Sequence, residues 1–218
     1  MLDILKPSLC INSAADLSPE AVWAILPDAE GVAFDLHRTL TDHVGSDISM
    51  EVIEMLGALR EAGLEVGVMS DSANEARAKR THQITQGIGR LICRNSDSEH
   101  YKVATVTSMD IAERSGKKRG NGKPFRPIFM AIAAEMGIEP KKLLYIGDQI
   151  FRDVVGGNRY FGASGLVCPY GAEDNKNVRR YQRPVEAILR PLIGLPFHPQ
   201  DFGTSRNSKE TLRSRVLR

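Results

Sequence analysis

Short apolar runs alternate along the chain with amphipathic stretches, the pattern of a parallel sheet wrapped by helices. Gly31, Val32, Ala33 and Phe34 form a continuous apolar run that predicts a buried strand ending at Asp35. Val52, Ile53, Leu56 and Leu59 recur at helical spacing over 49–62, and Gly63 stands where a helix stop is expected. A second strand is predicted over 64–69, ending at Ser70-Asp71-Ser72, with a helix over 74–86 behind it. A further strand is predicted over 90–93. Beyond it, a helix over 127–136 ends at Gly137, and a strand over 143–146 ends at Gly147-Asp148. The last predicted strand, over 166–168, is stopped by Pro169.

Two regions break this rhythm. Residues 95–122 are polar, with Lys117, Lys118 and Arg119 flanked by Gly116 and Gly120; a strand fits over 101–107, but the centre reads as a loop. Residues 196–218 form a basic tail, and from Gly203 onward Arg206, Lys209, Arg213, Arg215 and Arg218 face one acid, Glu210. Such a composition predicts disorder. The expected organisation is therefore one domain over 1–195 plus this tail.

At 218 residues the chain is long enough to bury a sizeable core, and a net charge of +2 does not by itself argue for nucleic acid or membrane. The three cysteines, Cys10, Cys93 and Cys168, are odd in number and without a close pair, which argues against a disulfide framework or a CxxC metal site. No apolar run approaches the roughly 18 residues of a bilayer span, and the start MLDILKPSLC lacks a signal-peptide profile. A cytoplasmic protein is expected. His43, His82, His100 and His198 are scattered without metal-ligand spacing, and Trp23 reads as a core or interface anchor.

Chemistry concentrates at strand ends. In an open α/β sheet, ligands bind beyond the carboxyl ends of the strands, and three apolar runs here end in Asp35, Ser70 and Asp148. A carboxylate can attack phosphorus and form an aspartyl-phosphate. Two neighbouring carboxylates repel unless a cation lies between them, and Mg²⁺ suits that place because it binds carboxylate and phosphate oxygens. A serine hydroxyl can donate to a phosphoryl oxygen. A lysine can neutralise charge on the equatorial oxygens, and Lys123, followed by Pro124 just before a helix, is placed to do so.

The same residues carry a family resemblance. The run Phe34-Asp35-Leu36-His37-Arg38-Thr39-Leu40 resembles the DxDxT signature of the haloacid dehalogenase superfamily. Ser70 after its apolar strand is similar to the second motif and Lys123 to the third. Gly147-Asp148-Gln149-Ile150-Phe151-Arg152-Asp153 is similar to the fourth. With Val154 to Asn158 added, that last run looks most like subfamily IIIA, the small phosphatases that include phosphatidylglycerophosphate phosphatases. The resemblance covers about 5–192 apart from the polar segment.

It implies a three-layer α/β fold with a mainly parallel sheet and a minimal cap, and a Mg²⁺-dependent phosphatase. Asp35 is then nucleophile and metal ligand, Asp148 the second metal carboxylate, and Asp153 a ligand or outer partner. Ser70 and Lys123 hold the phosphoryl group, with Asp71 beside them and Thr39 bracing the nucleophile loop. Gly156 and Gly157 let the last helix approach the sheet. The family's second Asp, its general acid and base, is replaced by His37, whose main-chain carbonyl still suits the metal and whose imidazole can exchange protons near neutral pH. A catalytically weakened phosphate binder is the alternative that His37 raises. Asp71 also departs from the branch, which has Asn there, and is expected to turn away and cap the helix beginning near Ala73.

Both segments flanking the second motif are too short for a full cap domain. An open site favours a substrate whose bulk stays outside: a phospholipid headgroup at a membrane surface first, then a phosphoprotein or a nucleic-acid end. The basic tail suits an anionic surface, and the cluster Lys117 to Arg119 is either a solvated loop or a contact for a polyanionic partner.

Overall fold

Every residue of β2 (Gly31–Asp35), β5 (Leu143–Gly147) and β6 (Ala163–Val167) is buried. Strands so enclosed must be covered by helices on both faces. The computed structural model describes residues 2–41, 48–72, 74–93, 101–116, 121–170, 180 and 182–195. With β1 (Leu9–Ile11), β3 (Glu65–Ser70) and β4 (Ala104–Thr107), these strands form a six-stranded sheet in the order β1-β6-β5-β2-β3-β4. All five pairings are parallel.

Alternation along each strand splits the core into two layers. Val32, Phe34, Val66, Val68, Leu144 and Ile146 face α1 (Pro19–Ile25), α2 (Met50–Glu61) and α3 (Glu75–Cys93). Ala33, Met69, Val106 and Tyr145 face α4 (Ser108–Ser115) and α5 (Arg126–Met136). The chain then runs through a π-helical turn (Ile150–Val154) into α6 (Val155–Tyr160) and, after β6, ends its described part in α7 (Arg183–Leu192). The predicted three-layer α/β architecture is observed, with Asp35 on an inner strand.

Gly156 explains how α6 reaches the sheet layer. A Cβ there would lie 2.1 Å from Phe129 Cζ, and one at Gly157 would lie 2.7 Å from Ser164 Cβ. Only hydrogen fits in either place. The helix that carries them is not the last, since α7 follows. Asn158 fastens the N-terminal segment, donating to the carbonyls of Ile4 and Lys6 at 3.0 and 2.8 Å and accepting from Ser164 Oγ at 2.8 Å.

Two expectations are corrected. Residues 90–93 are not a strand but the final turn of α3, because buried Ile88 and Ile92 continue the helical core face begun by Thr81 and Thr85. Residues 108–115 are not loop but α4, nucleated by a capping box: Thr107 Oγ1 accepts from the Asp110 amide, and Asp110 accepts from the Thr107 amide at 2.7 Å. Lys117, Lys118, Arg119, His43, His100, His198 and the tail 196–218 lie outside the described residues. Among the described residues no helix is long and apolar enough to cross a membrane.

Candidate active site

β2 lies between β5 and β3, so the three predicted strand ends converge. Asp35 closes β2, Ser70 closes β3, and Asp148 follows Gly147 at the end of β5. Asp35, Asp148 and Asp153 each offer a carboxylate oxygen within 4.8 Å of the others, a set that could hold a metal ion. All three are buried, Asp148 and Asp153 completely.

Lys123 places a cation between two of them. Its Nζ lies 2.6 Å from Asp35 Oδ1 and 2.6 Å from Asp153 Oδ1. Burial opposes the ammonium charge, but Asp153 and Asp35 outweigh it and hold the group protonated well beyond its ordinary range. Lys123 and Arg183 together do not neutralise these three carboxylates and Glu186, which shares Arg183 with Asp148. Burial, helped by Asp153 and Asp148, pushes Asp35 up to about 7 even though Lys123 pulls the other way. Burial raises Asp148 as well, against the pull of Arg183. This unspent negative charge fits a divalent cation.

Asp153 is held on every side. Tyr145 donates its hydroxyl to Oδ1 at 3.1 Å, and the Gln149 amide donates to Oδ2 at 3.0 Å. Gly147 makes room for it, since a Cβ there would sit 2.4 Å from Asp153 Cβ. Ser70, fully buried, shares a hydrogen bond with Ser72 at 3.0 Å, and Ser72 shares another with Thr81 at 3.0 Å.

Beyond Asp35 the chain makes a tight turn. Arg38 takes a left-handed conformation with φ 66°, donates its amide to Thr41 O at 2.7 Å, and accepts from the Tyr170 amide at 2.7 Å. Thr41 Oγ1 donates back to Leu36 O at 3.2 Å. Thr39 is buried in this turn, where its hydroxyl has no hydrogen-bond partner among the described residues. His37 is half-buried and bridges to Thr41; its side chain is not part of the acidic cluster.

Asp71 does not cap α3. Its Oδ1 accepts from the Lys123 amide at 2.8 Å, and its carboxylate pairs with the Arg152 guanidinium. Asn74 instead accepts from the Arg77 amide at 3.0 Å at the start of that helix. Asp71 therefore ties the lysine loop to β3. A cleft of about 830 Å³ adjoins this point, lined by Asp71, Ser72, Met109, Asn121, Gly122 and Arg152 among others.

Sequence reasoning missed Tyr145, Arg152, Arg183 and Glu186. Arg183 reaches Asp148 from α7, its Nη1 donating to the Asp148 carbonyl at 2.9 Å and its Nη2 meeting Oδ2. Arg152 stood in plain view inside the fourth motif, one residue before Asp153. The others carry no local signal of a site, because the groups that tie them to it, Asp153 for Tyr145, Asp148 for Arg183 and the Ile150 amide for Glu186, lie on other elements.

Residues 120–194 match the family model described as HAD-hydrolase-like. A protein of Bacillus subtilis (strain 168) named "Probable phosphatase YqeG" is 24% identical over 173 residues, which is 79% of this chain and 83% of that protein. A crystal structure of a haloacid dehalogenase-like hydrolase from Brucella suis 1330 is 15% identical with a TM-score of 0.42, covering 69% of this chain and 92% of the other.

Proposed function

We propose that the chain is a haloacid dehalogenase-like hydrolase, and that it is a Mg²⁺-dependent phosphomonoester hydrolase working through an aspartyl-phosphate on Asp35. The observation that carries the reading is the buried group Asp35, Asp148 and Asp153 with Lys123 between two of its carboxylates, at the ends of adjacent parallel strands.

Asp35 and Asp148, with Asp153 and the His37 carbonyl, are the groups that would hold the cation. Bound there, Mg²⁺ would neutralise the carboxylates and the phosphate charge and keep Asp35 ionised. Asp35 attacks phosphorus, forming its O–P bond as the bond to the leaving oxygen breaks. Lys123 balances charge on the equatorial oxygens, and the Ser70 hydroxyl donates to one of them. His37 gives the leaving oxygen its proton, then takes a proton from the water that attacks the aspartyl-phosphate and releases phosphate.

The substrate class we favour is a lipid phosphate or another bulky phosphoester, met at a membrane surface by a peripheral cytoplasmic protein. Support comes from the subfamily IIIA resemblance, from the short segment 36–49 between β2 and α2, and from the cleft beside Asp71 that offers space for a leaving group. The test is phosphate release from p-nitrophenyl phosphate with Mg²⁺. The native protein should turn over, while Asp35→Asn or EDTA should bring release to background. Full activity of Asp35→Asn would end this reading.

His37 favours one second reading, a phosphate-binding protein that has lost turnover. It expects no release from any phosphoester by the native chain, Mg²⁺-dependent binding of phosphate analogues, and activity gained in His37→Asp. Measurable turnover by the native protein excludes it.

A further inference from the structure

Helix α7 is built inside out. Glu186 and Arg190 are 1% and 2% exposed, whereas Ile188 and Leu192 on the same helix are 66% and 64% exposed. Burying two charges while leaving two large aliphatic side chains in water is unfavourable on transfer grounds alone. The inward Glu186 has specific partners near the acidic cluster. Glu186 Oε1 accepts from the Ile150 amide at 2.8 Å, and Glu186 Oε2 accepts from Arg183 Nη1 at 2.8 Å. The same Nη1 donates to the Asp148 carbonyl at 2.9 Å, and Nη2 engages Asp148 Oδ2.

Asp148 is thus divided between two tasks. Its Oδ2 is held by Arg183, while Oδ1 is buried and has no hydrogen-bond partner among the described residues. Asp148 belongs to the three-carboxylate group, and Oδ1 is the oxygen that Arg183 leaves available to it. We propose that Arg183 is a positioning residue for the metal carboxylate Asp148, its fork fixing Oδ2 and the main chain so that Oδ1 is presented to a divalent cation.

Charge decides between this role and direct competition with the cation. An isolated guanidinium at this distance would repel a divalent ion and weaken its binding. Arg183 is not isolated: its ion pair with Glu186 brings a neutral unit to the site. What remains is orientation, and outer partners of metal-ligating carboxylates act chiefly in that way.

This inference rests on the reading that the acidic cluster holds Mg²⁺, and calorimetric titration of the metal-free full chain with Mg²⁺ separates the two. If the native protein binds no Mg²⁺, the cation reading itself falls. If it binds, Arg183→Met should weaken affinity by about 10- to 100-fold. Arg183→Lys keeps the charge but loses the fork, and should weaken binding by a smaller factor. Should Arg183→Met fail to fold, Arg183→Lys decides alone. Native affinity in folded Arg183→Lys, or unchanged or tighter binding in Arg183→Met, overturns the proposal, tighter binding meaning that Arg183 excludes the cation.

Discussion

Lys123 Nζ and Asp35 Oδ1 stand 2.6 Å apart although their residues come from a loop and a strand far separated in sequence. Both side chains are almost fully buried, so the pair is screened little by solvent. Removing Lys123 leaves the buried Asp35 and Asp153 carboxylates without its charge, which costs more than the pair contributes.

Lys123→Met should therefore destabilise the metal-free protein by about 3–5 kcal/mol and abolish turnover. Urea denaturation measures the first. The double variant with Asp35→Asn should lose less than the sum of the two single variants, because Lys123→Met strands the Asp35 and Asp153 carboxylates and the added Asp35→Asn relieves the first of them. Strict additivity would mean that the two groups do not interact.

Acidification should stabilise the metal-free fold. Asp35 is raised from 3.8 to about 7 in the folded state. Between those values the unfolded chain has released a proton that the folded chain still holds, so stability falls as pH rises through the window. The contribution of this one carboxyl is at most about 1.4 kcal/mol per pH unit. Chemical denaturation in EDTA at pH 5 and pH 7 checks the sign, and Asp35→Asn should flatten the dependence. An unchanged slope in that variant would assign the effect elsewhere.

Asp71→Ala removes the acceptor for the Lys123 amide and the partner of Arg152. The lysine loop should then lose its register on β3, lowering kcat on the order of 10- to 100-fold while most stability is retained. Steady-state kinetics with thermal melting distinguishes this from simple unfolding. A native kcat would show that Lys123 is placed by other contacts.

Gly156→Ala pushes a methyl to within 2.1 Å of the Phe129 ring. Overpacking of that kind costs about 1–3 kcal/mol. The midpoint in urea should fall accordingly, with activity per folded molecule unchanged, since the Phe129 ring packs among the rings of Tyr145, Tyr160 and Phe161. A silent substitution would mean that α6 can lift away from α5 freely.

The strand ends of the candidate site were legible because each is a local event: an apolar run buried on both faces, then a polar residue where the strand leaves the sheet. Asp35, Ser70 and Asp148 all follow that rule. Short runs were less informative. Residues 90–93 satisfy strand and helix patterns equally over four positions, and only the continuing core face of α3 decides the matter. β1 is three residues long, too short to stand out from its surroundings. Asp71 was misread for a related reason: its turn residue type predicts a local cap, while its partner, the Lys123 amide, lies 52 residues away.

What the sequence by itself determined is the place of the inner strands β2, β3 and β5 along the chain, the helices between them, and the residue types at the strand ends, since these follow from periodicity over a few neighbouring positions. Only the tertiary structure decided that Lys123 joins Asp35 to Asp153, that Tyr145 and Gln149 hold Asp153, and that α7 turns its charges inward so Arg183 meets Asp148. The Lys123 and Arg183 contacts close over long stretches of chain, and the energy of all of them depends on burial and partner geometry that no local pattern encodes.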